Sequence, residues 1–517
     1  MTDTVRFLAD FARAAAEAEP EGLCWEYEGR TWSWGQAWES IQRTAGALSA
    51  DGIRRGDTVA FVDKNNPAIL QMVLGASLLG ASTTIVNWRL AGDELDYTIN
   101  DSGAKILFVG YELLDQVAAI KDHLTTVTKI LVVGGDGDEF EAWQASGDAL
   151  DQADEVSVDD VVVIMYSSGT TGRPKGVQLT GHNLTEHTLH ADVGIAYGEG
   201  AKMLIAMPMF HVGGTSYAMF GLKNRIGGHI IRDVEPGALA GAMMGGVTHA
   251  FLVPAVVAML LQAGPDAMKL FSSLRGFSYG AAPMPTAILR GAQEHWPNTA
   301  FYQVYGLTEF GGVVTVLHDA EHRDLENPHR LLSAGKPIPG VEVRVVDPAM
   351  LTDVETNAPG ELWFRTEQAT PGYHGKPEAT AELYAGDGWV RTGDIGRVDA
   401  DGYVYVEDRL KDMIITGGEN VYSPEVERVL SMHPALQEVA VIGVPDEVWG
   451  ESVKAIVALK PGAEATEAEI IAWAREQLAA YKVPRSIDVI EMLPRNPSGK
   501  ILKRELRKDF WGEGKQV

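Results

Sequence analysis

Over the first two thirds of the chain, apolar residues come in short unbroken runs separated by longer mixed stretches. The runs at 59–62, 83–86, 106–109, 129–133 and 161–165 have the length and continuity of strands buried on both faces. Residues 68–79 and 92–100 predict helices between them, the first opened by Pro67 as a first helical residue. Residues 25–35 predict a strand, a turn and a strand leading into a helix, with the Trp-rich segment Trp32-Ser33-Trp34-Gly35-Gln36-Ala37-Trp38 as packing. Residues 134–157 are acidic and Gly-rich and read as a surface excursion. The alternation resumes with a helix at 182–190, strands at 203–207, 227–231 and 248–253, a helix at 254–262, and strands at 277–279 and 300–304. Strand and helix in alternation with short connections predict a mostly parallel sheet with helices on both faces.

From about 335 the period changes to two. Val341-Glu342-Val343-Arg344-Val345-Val346, Gly360–Arg365 and 403–406 alternate apolar and polar with short turns, which predicts a small antiparallel barrel-like unit over about 335–407. A charged segment, Glu407-Asp408-Arg409-Leu410-Lys411-Asp412, follows. Beyond it the pattern is that of a small α+β domain. Ser423 reads as an N-cap with Pro424 behind it, and Thr466 with Glu469 forms a capping box. Strands are expected at 439–444, 453–459 and 487–490, and a last amphipathic helix carries Leu502, Leu506 and Phe510 with its basic face in solvent. The expected fold class is therefore α/β. A large N-terminal part, 1–408, has parallel α/β sheets and the small barrel; a smaller α+β domain, 409–517, follows.

At 517 residues the chain exceeds one domain, and 45% hydrophobic with 22% charged residues is a globular balance. A net charge of −28 argues against a nucleic-acid duplex as partner, though not against an anionic ligand in a cleft lined by local cations. Cys24 is the single cysteine, so neither an intrachain disulfide nor a cysteine zinc cluster can form, and a cytoplasmic location is expected. The first 21 residues lack the basic start and apolar core of a signal peptide. The most apolar stretch, 68–86, is interrupted by Gly75, Gly80 and several hydroxyls, as in a buried helix and strand rather than a membrane span.

The chemistry gathers first at Tyr166-Ser167-Ser168-Gly169-Thr170-Thr171-Gly172-Arg173-Pro174-Lys175-Gly176-Val177, directly after a strand. Glycines free the backbone for close approach, while hydroxyls and one ammonium suit nucleotide phosphates. The spacing is not that of a Walker A loop. Further polar, Gly-containing stretches follow other expected strands, where ligands bind in such sheets: Gly280-Ala281-Ala282 and Tyr305-Gly306-Leu307-Thr308-Glu309. Later come Thr392-Gly393-Asp394, Asp408-Arg409-Leu410-Lys411-Asp412, Gly417-Gly418-Glu419-Asn420 and Pro497-Ser498-Gly499-Lys500.

Taken together, in this order and over nearly the whole chain, these motifs resemble the adenylate-forming superfamily of acyl- and aryl-CoA synthetases, nonribosomal adenylation domains and firefly luciferase. The resemblance implies an ATP-dependent acid–CoA ligase that forms an acyl-AMP with release of pyrophosphate, then acylates coenzyme A. It implies ATP, Mg2+ and coenzyme A as cofactors. Ser167, Ser168, Gly169, Thr170, Thr171, Gly172 and Lys175 would hold phosphates. Thr170 and Glu309 would hold the metal, Tyr305 would stack on adenine, and Gly280, Ala281, Ala282, Gly306 and Thr308 would line its site. Asp394 and Arg409 would meet the ribose or phosphate. Lys500 would bridge the carboxylate and the α-phosphate, with Glu309, Thr170 and His211 as further catalytic residues. The resemblance also implies that the 409–517 domain is mobile, turning about Lys411 to exchange Lys500 for Gly417, Gly418 and Glu419 at a pantetheine tunnel.

Amino-acid-activating members carry an Asp where this chain has His211, which argues against an amino-acid substrate. His211, Gly213, Gly214, Thr215, Tyr279, Gly280, Gly306 and Gly311 are expected around an acyl chain or ring. The expected acid is a medium- or long-chain fatty acid or a similar hydrophobic acid. An aryl-CoA ligase, an acyl-AMP ligase with another acceptor and a catalytically silent nucleotide or acyl binder are the alternatives. The expected partners are thus a small carboxylic acid and CoA, without nucleic acid or integral membrane association; homodimerisation stays open.

Overall fold

Val59 to Val62 have no exposed surface, because the strand they form lies between two other strands and under helices on both sides. The computed structural model describes residues 5–167, 173–282, 284–495 and 501–511. The chain divides into two units, Met1–Glu342 with Arg365–Val390, and Val343–Phe364 with Arg391–Val517.

The first unit holds two sheets. In one, Ile106–Gly110, Thr58–Val62, Ser82–Val86 and Val161–Ser167 run parallel with Lys129–Val133 at one edge. Lys175–Thr180 then pairs antiparallel to Val161–Ser167, and Gly372–Tyr373 closes that edge. In the other sheet six strands are mutually parallel, from Leu23–Tyr27 through Gly227–Ile230, Lys202–Ile205, His249–Leu252 and Gly276–Gly280 to Ala300–Leu307. Gly312–Leu317 returns antiparallel. The fold class expected from the apolar runs is the one observed.

The 134–157 stretch runs over the surface as expected, nearly all of it exposed or half-buried, but it is anchored at one place. It contains the helix Phe140–Ala145, whose Phe140 and Trp143 are buried against Phe61 and Phe108, with Phe108 and Trp143 ring centres 4.9 Å apart. The Trp143 indole donates to Asp51 at 2.7 Å. Two aromatic rings in an otherwise polar stretch are enough to anchor it, since each buries a large apolar area.

The second unit contains a four-stranded sheet, Glu342–Val346, Gly360–Arg365, Val390–Val398 and Val404–Arg409. A second sheet is built on the long antiparallel pair Leu436–Asp446 and Gly450–Leu459. The helix Ser423–Ser431 begins at Ser423 itself, so Ser423 is not its N-cap. The terminal helix Lys503–Trp511 presents Leu506 to an apolar cluster around Leu493, Ile442 and Ile456. Its basic face is not wholly solvated: Lys503 pairs with Glu427 at 2.8 Å and Arg507 pairs with Asp412. No helix among the described residues is long and apolar enough to cross a membrane.

Candidate active site

Ser167 and Lys175 face each other as the last rung of the Val161–Ser167 and Lys175–Thr180 hairpin. This pins both ends of the Gly-rich loop at the C-terminal end of a parallel strand. Ser168, Gly169, Thr170, Thr171 and Gly172 lie outside the described residues. The loop's flanks are braced from the helix Gly92–Asp101. The Tyr166 hydroxyl donates to Asp101 at 2.9 Å, Lys376 pairs with the other Asp101 oxygen at 2.7 Å, and the Arg173 guanidinium lies 4.7 Å from the Tyr97 ring centre. Burial and the Asp101 charge push the Tyr166 phenol up, so it stays a neutral donor.

Tyr305, Gly306 and Leu307 continue the strand Ala300–Leu307 instead of forming a loop, and Thr308–Phe310 is a single tight turn. Gly306 must be small: a Cβ there would lie 1.8 Å from the Gly312 carbonyl oxygen. Glu309, half-buried on this turn, accepts from the Tyr373 hydroxyl at 2.9 Å, while its backbone carbonyl accepts from the Thr370 N–H at 2.7 Å. The Lys175 ammonium stands 5.0 Å from the Tyr373 ring centre. Tyr373 therefore links the loop lysine to the expected metal ligand. Burial, then the Glu309 charge, pushes its phenol well up, which keeps it protonated. The second Glu309 oxygen makes no hydrogen bond among the described residues, and a hard carboxylate oxygen suits Mg2+.

Beneath the turn, His187 is fully buried and its Nε2 accepts from the Val313 N–H at 2.9 Å. Burial pushes its pKa down to about 3, so it is a neutral acceptor. Sequence reasoning missed both supports. Tyr373 sits in an unremarked Gly-Tyr-His-Gly stretch, and His187 showed only as one turn beyond Leu184 on a helix face.

Where Gly276–Gly280 ends, Ala281 takes a left-handed φ of 63°, a conformation that costs a non-glycine residue energy and here turns the chain at the strand's end. Gly280 passes so close to its neighbour strand that a Cβ would lie 2.3 Å from the Val304 carbonyl oxygen. Ala281 and Ala282 are exposed, and Tyr305 and Thr308 half-buried.

His211 caps the helix Val212–Asn224 at the end of Pro208-Met209-Phe210. This segment is fastened by Asn65, which accepts from the Met209 N–H at 2.9 Å and donates to the Met207 carbonyl at 3.1 Å. Thr215 donates to the Met209 carbonyl at 2.6 Å, and a Cβ on Gly214 would lie 2.3 Å from the Pro208 carbonyl oxygen. Thr215 and Gly214 are thus taken up in shaping the loop. Tyr279, expected at the acyl wall, is instead a core residue: it is fully buried beside Phe277, and its hydroxyl shares a 2.8 Å hydrogen bond with His322. Gly213 faces the Phe251 ring, and Gly311, at φ 67°, ends the Glu309 turn.

In the second unit, Asp394 and Arg409 are register partners on adjacent strands and pair at 2.7 Å. Asp394 is buried and Arg409 half-buried. Asp408 is buried and accepts from both the N–H and the hydroxyl of Ser423, at 2.7 and 2.8 Å. The Lys503 ammonium donates to the same Ser423 hydroxyl. Burial raises Asp408 to about 6 despite Lys503. Burial lowers Lys411 to about 8, with Asp412 opposing. Gly417 and Gly418 both have left-handed φ, and a Cβ on Gly417 would lie 2.6 Å from the Trp449 ring. Glu419 is exposed opposite Thr416. Lys500 lies outside the described residues.

The braced flanks of the Gly-rich segment and the carboxylate turn thus both lie at the carboxyl ends of parallel strands, where ligands bind in such sheets. The chain belongs to the AMP-binding enzyme family, whose pattern matches residues 11–374, and residues 425–500 match the C-terminal domain of AMP-binding enzymes. It is an adenylate-forming acid–thiol ligase of the acyl-CoA synthetase type. Among its relatives, the fatty acid–[acyl-carrier-protein] ligase ScoC of Streptomyces coeruleorubidus is 36% identical over 511 residues, covering 96% of this chain and 94% of that protein. Feruloyl-CoA synthase of an Amycolatopsis species is 36% identical over 503 residues, covering 96% and 97%. Among solved structures, ATP-bound MatB from Rhodopseudomonas palustris superposes with a TM-score of 0.88 at 29% identity, covering 98% of this chain and 99% of that one. The o-succinylbenzoate CoA synthetase MenE of Bacillus subtilis with ATP and magnesium gives 0.83 at 27% identity, covering 96% and 99%.

Proposed function

We propose that this protein activates a hydrophobic carboxylic acid, a medium- or long-chain fatty acid or an acid of similar shape, as its acyl-AMP and passes the acyl group to coenzyme A in the cytoplasm. The observation that carries the reading is the Lys175–Tyr373–Glu309 line beside the mouth of the Gly-rich loop. It brings together an ammonium that would seek phosphate and a carboxylate oxygen that would suit Mg2+, the two charges a bound triphosphate needs. When bound there, Mg2+ would neutralise charge between the attacking carboxylate and the α-phosphate.

Lys175, with Ser167 and residues 168–172, would hold the β- and γ-phosphates, and Glu309 would orient on the metal. Tyr373 keeps the Glu309 carboxylate aimed by a hydrogen bond that cannot ionise at neutral pH. Tyr305 and residues 280–282 would flank the adenine, and Asp394 would accept from the ribose hydroxyls with Arg409 beside it. Lys500 would approach the reacting carboxylate oxygen. Once pyrophosphate has left, the 409–517 domain would turn about Lys411 and bring Gly417, Gly418 and Glu419 to the thiol path. His211, in place of the acid that would bind a substrate ammonium, supports an uncharged acyl or aryl group.

An acyl-carrier-protein thiol is the second acceptor to consider, because ScoC, which shares nearly the whole length, is a ligase of that kind. The deciding experiment is a panel of fatty and aryl acids scored for pyrophosphate exchange, then for AMP release with and without CoA. The reading requires exchange with a hydrophobic acid and CoA-dependent AMP release. Exchange without CoA dependence would point to another acceptor, and absence of exchange with every acid would overturn the ligase reading for this chain.

A further inference from the structure

We propose that His182, Glu186 and Glu367 form a binding site for a divalent transition metal of the zinc class, separate from the adenylate site. His182 and Glu186 are four residues apart on the helix Gly181–His190, so their side chains share one face one turn apart. Glu367 comes from the loop that precedes Gly372–Tyr373. One ligand atom from each of the three residues lies within 4.8 Å of the others, and His182 Nε2 is 3.2 Å from a Glu367 oxygen. His190, a further turn along, has its Nε2 3.6 Å from Glu186 but stands outside the set of mutually close ligand atoms.

The backbone already holds the pieces together. The Asn183 side chain, on the same helix, donates to the Glu367 carbonyl at 2.9 Å, and Gln368 donates to the Val313 carbonyl at 2.7 Å. An ion would therefore meet a largely assembled set of donors. Two carboxylates and an imidazole form an N/O set that suits zinc and its neighbours. Mg2+, which prefers an octahedral shell of oxygens, is poorly served by the imidazole. Glu367 is exposed and His182 and Glu186 are half-buried, so the ion can exchange with solvent.

The site joins two elements that support Glu309. The helix also carries His187, which accepts from Val313, and the Glu367 loop leads to Thr370 and Tyr373, which donate to Glu309. Occupancy would tie these supports together; this consequence, unlike the metal site itself, rests on the ligase reading above.

The test uses the full chain without a histidine tag, stripped of metal. Zn2+ is titrated by calorimetry and Co2+ by visible absorption, with no acid, ATP or CoA present, so the outcome is independent of the ligase reading. One equivalent of Zn2+ should bind saturably and raise the unfolding temperature. His182→Ala and Glu367→Gln should each weaken binding by roughly tenfold or more, and millimolar Mg2+ should not compete. Glu367→Gln replaces an exposed side chain, so it reports on binding even if His182→Ala disturbs the helix. Absence of saturable binding to the wild type, affinity unchanged in Glu367→Gln, or displacement by Mg2+ at equal concentration would each overturn the proposal.

Discussion

Tyr373 donates its hydroxyl to Glu309 across 64 positions of sequence, and the Thr370 N–H fastens the Glu309 backbone from the same segment. The turn that carries the expected metal ligand is thus gripped by a short edge strand formed late in the chain. Removing that grip should weaken acid activation without unfolding the protein. Tyr373→Phe keeps the ring and loses a hydrogen bond to a charged group, a contact worth about 1.5–3 kcal/mol. Pyrophosphate exchange should fall roughly tenfold to a hundredfold, with more Mg2+ needed for half-maximal rate and little change in unfolding temperature. An unchanged rate would remove Tyr373 from the site.

His187 supports the same turn from below as a neutral acceptor with a pKa of about 3. The ordinary value is 6.5, so between these values the unfolded chain binds the extra proton. Folding stability should rise with pH across that window and be lost as pH falls from about 6.5. His322, lowered to about 4 by burial, acts in the same direction. Denaturant midpoints should fall between pH 7 and pH 5 by the equivalent of about 2 kcal/mol from His187. His187→Gln should flatten that slope.

Lys411 has the same sign at higher pH. Its folded value of about 8 lies below the ordinary 10.5, through burial beside Arg409 and Arg507, with Asp412 and Asp394 opposing. The second unit should gain stability as pH rises from about 8 towards 10.5, where the unfolded chain still holds the proton. Lys411→Met should be more stable than wild type at pH 7 and lack this slope, read by thermal unfolding. Lys411→Pro tests the proposed hinge separately, since it should impair one half-reaction far more than the other.

Lys503 lies between Glu427 and the Asp408–Ser423 pair. Lys503→Ala leaves carboxylates in a buried setting without their cation, a loss of about 3–5 kcal/mol. Lys503→Met combined with Glu427→Leu should recover much of it. Equal stability of Lys503→Ala and wild type would show that the terminal helix is held without Lys503, by Leu506 and its apolar neighbours and by the Arg507–Asp412 pair.

Lys500→Ala should slow acyl-AMP formation by ~10²–10³ or more, as loss of a preorganised transition-state contact does. Thioester formation from preformed acyl-AMP should be spared. Equal losses in both half-reactions, measured separately, would assign Lys500 to general stability.

The order of strands and helices was written in the sequence because burial on both faces demands unbroken apolar runs such as Val59 to Val62, whatever surrounds them. The motif loops were legible for a related reason: a glycine, hydroxyl and lysine cluster after a strand carries its chemistry locally, as the Ser167–Lys175 rung does. Only the tertiary structure decided which distant groups meet. Tyr373 with Glu309, His187 with Val313 and Lys503 with Glu427 each join segments more than sixty residues apart, and side-chain type along one chain does not encode such pairings. It also refined readings based on composition. Phe140 and Trp143 anchor an otherwise exposed acidic stretch, and carboxylates drew Lys503 and Arg507 of the last helix inward. A contact's energy depends on what stands opposite, and folding alone supplies the opposite side.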